Sequence, residues 1–89
     1  MKTLAVIGAG AFGTSLALVL SKRFDEVRLW AHERELVENM RISRQNDVFL
    51  PGFALPANIL PFADLREAVI GADFILGAMP STHARRIYT

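Results

Sequence analysis

The sequence has no cysteine, only two histidines (His32 and His83), a single tryptophan and a single tyrosine, and charges that nearly cancel, ten Lys and Arg against nine Asp and Glu. Each shortage excludes something. Without cysteine there is no disulfide framework and no thiolate zinc site, and two histidines this far apart do not suggest a metal cluster, so no metal site is expected. A net charge of +1 gives no basic face to neutralise phosphates, so nucleic acid is not an expected partner. Nothing requires an oxidising compartment. Charge blocks, internal repeats, low-complexity tracts and linkers are also missing.

Apolar residues are plentiful: 52% of the 89 residues. A chain this short makes one small domain at most and buries about 60 to 65% of its unfolded surface. So apolar a composition predicts more neighbours than the chain itself carries. The apolar residues concentrate in LAVIGAGAFGTSLALVL, residues 4–20, which has no charge and follows Met1, Lys2 and Thr3. A basic start and an apolar run resemble an export signal, and the length admits a short membrane helix. Gly8, Gly10 and Gly13 argue against both, since each lowers helix stability by roughly 1 kcal/mol relative to alanine and they fall where one continuous helix needs its middle. Residues 4–7 read as a short buried strand, whereas Phe12, Leu16, Val19, Leu20 and Phe24 follow at helical spacing. The period changes at the glycines, so no membrane span is expected.

The rest alternates in the same way. Residues 27–31 (VRLWA) form a second strand candidate. Residues 33–43 form a helix with Leu36, Val37 and Met40 on one face, Glu33 and Glu35 in the first turn and Arg41 in the last, an order that suits the helix dipole. Residues 44–61 form a long connection with Pro51, Gly52, Pro56 and Pro61, holding at most a short strand near 59–62, and loops this long usually have a function. Asp64 and Glu67 make a capping-box-like start to a helix over 65–70, which Gly71 can end. A buried strand over 74–79 follows, and after Pro80 a further helix can start at Ser81. Phe62 and Phe74 are assigned to the core. Trp30 can line the adenine region of a ligand but, as an aromatic in a strand, is assigned to the core as well. The expected fold is α/β: a Rossmann-like doubly wound parallel sheet with right-handed crossovers, about the first half of one, with strand order 3-2-1-4.

Gly8, Gly10 and Gly13 fit G-x-G-x-x-G between the first strand and the first helix. The pattern alone is weak, because a tight structural turn can produce it. Its setting is what dinucleotide binding needs: Gly8 for the sharp turn, Gly10 so that backbone can approach a pyrophosphate, Gly13 for close packing of helix on strand. The helix N-terminus offers free N–H groups to the phosphates, so the backbone of Ala11 and Phe12, and the Phe12 ring, should border the cofactor. An NAD site usually has Asp or Glu at the end of the second strand; here Ala31 is followed by His32, Glu33 and Arg34. His32 and Arg34 can donate to a 2′-phosphate, while Glu33 either repels it or reaches a ribose. His32 at the strand's carboxyl end is favoured as a cofactor contact, and Arg34 fits a solvated helix face equally well. The cofactor is expected to be NADP or NAD, with NADPH bound at least as well as NADH.

At this point the residues resemble the opening of the NAD(P)-dependent glycerol-3-phosphate dehydrogenases of the bacterial type, over essentially the whole chain. VIGAGAFGTSLALVL is similar to the family's first strand, turn and helix, which more often carries Ser-Trp where this chain has Ala11-Phe12. VRLWAHE resembles its second strand. More specific is the loop, where Asn46, Phe49-Leu50-Pro51-Gly52 and Leu55-Pro56 resemble the family's Asn, Tyr-Leu-Pro-Gly and Leu-Pro. DLREAVIGADFILGAMPS resembles the family's Asp-Leu, Glu-Ala, Ala-Asp and Val-Pro-Ser, with Met79 in the valine position.

The resemblance implies a cytoplasmic oxidoreductase that interconverts dihydroxyacetone phosphate and sn-glycerol 3-phosphate with NAD(P)H, for glycerophospholipid synthesis. Its cofactor contacts would be Ala11, Phe12 and His32 beside the glycines, with only a backbone contact at Ala11, which lacks the serine hydroxyl. The family's catalytic lysine, cofactor-contacting lysine and substrate domain would lie beyond position 89. Residues 1–89 would then be the front of a dinucleotide-binding domain, inactive alone, with an exposed edge and face open to self-association. Two other readings stay open: another hydroxyacid or sugar-phosphate dehydrogenase with the same front half, and a non-catalytic nucleotide-binding module.

Overall fold

Strand and helix alternate as the periodicities dictate. A computed structural model describes residues 2–78, so the expectations for Met79, Pro80, Ser81, His83 and the helix after them lie outside the described residues. The order is β1 (Thr3–Ile7), α1 (Ala11–Leu20), β2 (Glu26–Trp30), α2 (Arg34–Ser43), β3 (Gln45–Asn46), β4 (Leu50–Ala54), β5 (Ile59–Phe62), α3 (Leu65–Val69) and β6 (Phe74–Gly77). Four strands form one parallel sheet in the order β5-β2-β1-β6, which is 3-2-1-4 counted along that sheet, as expected.

The sheet is covered unequally on its two faces. Leu4, Val6, Val27, Leu29 and Ile59 project to one side and join Ala17 of α1 and Leu36, Val37 and Met40 of α2 in the main core. The opposite face meets the short α3 through Arg28, whose guanidinium donates to the carbonyls of Glu67 (3.2 Å), Ala68 (3.5 Å) and Ile70. A cation there satisfies carbonyls that a helix end leaves without partners. Glu26 holds the guanidinium from the other side at 2.6 Å, and Phe62 lies under it with the ring centroid 6.0 Å away. Asp64 caps α3 by accepting the Glu67 N–H at 3.1 Å, the first half of the expected capping box.

Four expectations need correction. The long connection contains an antiparallel pair, β3 with β4, as well as β5. Helix α1 packs by only part of the stripe its large residues suggest: Leu16, Leu20 and Phe24 lean on the core, but Phe12 and Val19 are exposed, and Gly13, Thr14 and Ala17 face the sheet. Small residues sit there because the helix runs close to the strand below. Phe74 is 54% exposed and only leans edge-on against Phe24, since β6 is an edge strand among the described residues. Phe62 is half-buried beneath Arg28 instead of sealed in the core.

Candidate functional site

The glycine turn joins the carboxyl end of β1 to α1, and its three glycines differ in what they do. Gly8 has φ +119°, a conformation that disfavours any side chain, and its N–H is held by the Trp30 carbonyl at 3.0 Å. Gly13 lies under the turn, where a Cβ would come within 1.7 Å of the Gly8 carbonyl oxygen and 3.2 Å of the Ala78 Cβ. Gly10 has φ −72° and ψ −172°, which any residue can adopt, and a Cβ built on it meets nothing within 4 Å. The fold therefore demands glycine at 8 and 13 but gives no internal reason for it at 10. Gly10 faces open space.

That space is a cleft of about 570 Å³ at the carboxyl end of the sheet, lined by Gly8, Ala9, Gly10, Ala11, Phe12, Trp30, His32, Glu33, Leu36, Phe49 and Ala78. Five of the six predicted site residues meet there: Gly8, Gly10, Ala11, Phe12 and His32. The sixth, Gly13, is buried behind the turn, as its packing role requires. Arg34 does not line the cleft and sits exposed in the first turn of α2. Glu33 is the only carboxylate among the described lining residues, and no lysine or arginine accompanies it there. Attraction for an anion must then come from backbone. The N–H groups of Gly10, Ala11 and Phe12 donate to no protein oxygen among the described residues, and they sit at the positive end of α1.

Trp30, assigned to the core from its place in a strand, is half-buried and forms part of the wall. Its Nε1 donates to the Ala63 carbonyl at 3.0 Å and its ring lies 6.2 Å from that of His32. Residue 30 points away from the main core because Leu29 points into it, and at the end of the strand that opposite direction faces the cleft.

Two further contributors, Phe49 and Asn46, come from the hairpin. Phe49 lines the cleft, and Asn46 is fully buried behind it. The hairpin is anchored at its base by Arg44, whose N–H closes α2 on the Met40 carbonyl at 2.9 Å while its guanidinium donates to the carbonyls of Pro56 (2.6 Å) and Ile59 (2.7 Å). The residues that became the hairpin were singled out in the sequence only through resemblance. No periodicity marks strands of two and five residues when the longer contains Pro51 and Gly52.

A parallel sheet with this strand order, a glycine turn entering a helix and a cleft at the carboxyl ends of β1 and β2 define the front of a dinucleotide-binding α/β domain. Comparison with known proteins narrows the class. The chain belongs to the family described as NAD-dependent glycerol-3-phosphate dehydrogenase N-terminus, whose model matches residues 3–89. It is 48% identical to a glycerol-3-phosphate dehydrogenase (NAD(P)+) of Koribacter versatilis, aligned over 100% of this chain and 27% of that protein. A relative of the same name from Bacillus velezensis is 41% identical over 98% of this chain and 25% of its own length. The chain thus spans about a quarter of the curated relatives it matches.

Among solved structures, the glycerol-3-phosphate dehydrogenase of Coxiella burnetii superimposes with a TM-score of 0.84 at 36% identity, over 90% of this chain and 25% of that one. The enzyme from Saccharomyces cerevisiae gives 0.87 at 31% identity, over 97% and 28%. No helix among the described residues is long and apolar enough to cross a membrane.

Proposed function

We propose that residues 1–89 are the front of a dinucleotide-binding domain whose cleft holds the adenosine and pyrophosphate of NADPH or NADH. The observation that carries this reading is Gly10: a glycine the fold does not need, facing open space beside three N–H groups without partners. In the full-length protein the reading extends to glycerol-3-phosphate dehydrogenase activity with NAD(P)H, which the names of its relatives support, and from there to the interconversion of dihydroxyacetone phosphate and sn-glycerol 3-phosphate in the cytoplasm for glycerophospholipid synthesis. The bound nicotinamide would supply or accept the hydride. This stretch would hold the cofactor, and no catalytic side chain is assigned to it. Phe74 and Ile75 on the exposed edge strand β6 suit contact with further protein, whether another part of the enzyme or a second copy.

Roles follow from position. Gly8 and Gly13 shape the turn, Gly10, Ala11 and Phe12 present backbone N–H groups to the pyrophosphate, and the Phe12 ring borders it. His32 sits where the adenosine ribose would lie and can donate to a 2′-phosphate; Glu33 beside it can accept from ribose hydroxyls. Buried Ala31 supplies no carboxylate at the strand's end.

Titration of the full-length protein with each cofactor tests this reading. NADPH is expected to bind at least as tightly as NADH, and His32→Ala to weaken NADPH roughly three- to tenfold more than NADH. Binding of neither cofactor would refute the dinucleotide reading. NADH tighter by about tenfold or more would refute the assignment of His32 to a 2′-phosphate.

A further inference from the structure

We propose that Asn46 is a positioning residue for the cofactor, holding the Ala9 carbonyl inward so that the Gly10 N–H of the same peptide faces the cleft. The inference rests on the dinucleotide reading above. Asn46 is fully buried, and every polar atom of its side chain has a partner: Nδ2 donates to the Ala9 carbonyl at 2.7 Å and to the Thr14 hydroxyl at 2.8 Å, and Oδ1 accepts the Phe49 N–H at 3.2 Å. The amide has only one workable orientation, because the Ala9 oxygen can only accept and the Phe49 N–H can only donate. Thr14 adds a longer bond from its hydroxyl to the same Ala9 oxygen, at 3.4 Å.

A turn that binds an anion must present N–H groups and hide carbonyls. The peptide between Ala9 and Gly10 is trans, so its C=O and N–H point in opposite directions from one rigid plane. With the oxygen fixed on the buried side by Asn46, the N–H is turned to the other side, where Gly10 lines the cleft and finds no protein acceptor among the described residues. Removing the amide leaves the Ala9 oxygen with only the long Thr14 contact. The peptide can then rotate its carbonyl toward the phosphate, where like charge repels. The same side chain fixes Phe49 through its N–H, so one buried amide sets both the floor of the cleft and the hairpin that forms its wall.

Asn46→Leu, which fills similar space without donors, tests the proposal in the full-length protein. The Kd for NADPH, and the KM for NADPH in dihydroxyacetone phosphate reduction, are expected to rise roughly tenfold or more. The kcat at saturating cofactor and the KM for the second substrate should stay within about twofold. A merely structural role would lower the fraction of active protein and leave the cofactor KM of the remainder unchanged, and that outcome overturns the proposal.

Amide exchange followed by NMR on the wild-type protein gives a second measurement that needs no variant to fold. The Gly10 N–H should exchange quickly without ligand and at least about tenfold more slowly with NADPH, while the Asn46 Nδ2 protons stay protected throughout. A Gly10 N–H already protected without ligand overturns the proposal. Wild-type protein that binds neither NADPH nor NADH would overturn the dinucleotide reading and this inference together; normal binding by both wild type and Asn46→Leu would overturn only the role of Asn46.

Discussion

Gly13→Ala, the smallest possible change at that position, is expected to destabilise the folded protein by about 3 kcal/mol or more. In an open helix the same change would stabilise by roughly 1 kcal/mol, because alanine is the better helix former. Here the new methyl would lie 1.7 Å from the Gly8 carbonyl oxygen and 2.9 Å from its carbon, both backbone atoms, so no side chain can swing aside to relieve it. Relief requires α1 to lift from β1, and that movement opens the contact of Thr14 and Ala17 with the sheet beneath. Urea unfolding of the full-length protein checks this through a lower midpoint. An unchanged midpoint would mean that helix and strand are not packed as closely as described.

Gly10→Val is expected to do the reverse: stability changes little, and the dinucleotide is lost. Its φ of −72° and ψ of −172° lie in extended space that valine accepts readily, and an added Cβ meets no protein atom within 4 Å, which leaves room for the branch to turn toward the cleft. The only stability cost comes from replacing a tolerated N-cap residue by a poor one, about 0.5 to 1 kcal/mol. The branched side chain instead fills the approach to the N–H groups of Ala11 and Phe12. Kd values for NADPH and NADH should rise about 100-fold or more, with the melting temperature shifted by only a few degrees. Unaltered affinity would show that the pyrophosphate does not cross Gly10. Two glycines of one motif are thus separable, Gly13 by stability and Gly10 by binding.

The turn was legible in the sequence because its chemistry is local: glycine spacing, a strand before and a helix after lie within residues 3–20, and no distant contact is needed to read them. The parallel sheet was legible for a similar reason, since Leu4, Val6, Val27 and Leu29 alternate or cluster as buried strands do. What stayed hidden depended on distant contacts. Nothing in the residues around Asn46 reveals that its amide ends on Ala9, 37 residues earlier, or that Arg28 serves the end of α3 about 40 residues later.

Helix α1 misled because large apolar residues usually mark the buried side. Leu16 and Leu20 do lean on the core, but close packing on β1 reserved the most buried positions for Gly13, Thr14 and Ala17, leaving Phe12 at the mouth of the cleft. Trp30 was misplaced because period-2 reading assigns a face but not what lies at the end of the strand. That His32 lines the cleft follows from a topological rule alone, that ligands lie beyond the carboxyl ends of parallel strands.

A second cavity, about 980 Å³, lies between α1 and the hairpin, bordered by Ser15, Val19, Lys22, Arg23 and Phe53. It is larger than the cleft and has the cations that the cleft lacks, so size and charge alone would place a phosphate there. The proposed reading puts it at the glycine turn instead. A crystal structure of the full-length protein with NADPH decides between the two most directly. The account predicts pyrophosphate oxygens within hydrogen-bonding distance of the N–H groups of Gly10, Ala11 and Phe12, with the adenosine ribose beside His32. A pyrophosphate seated against Lys22 and Arg23, or an adenosine remote from His32, would contradict it.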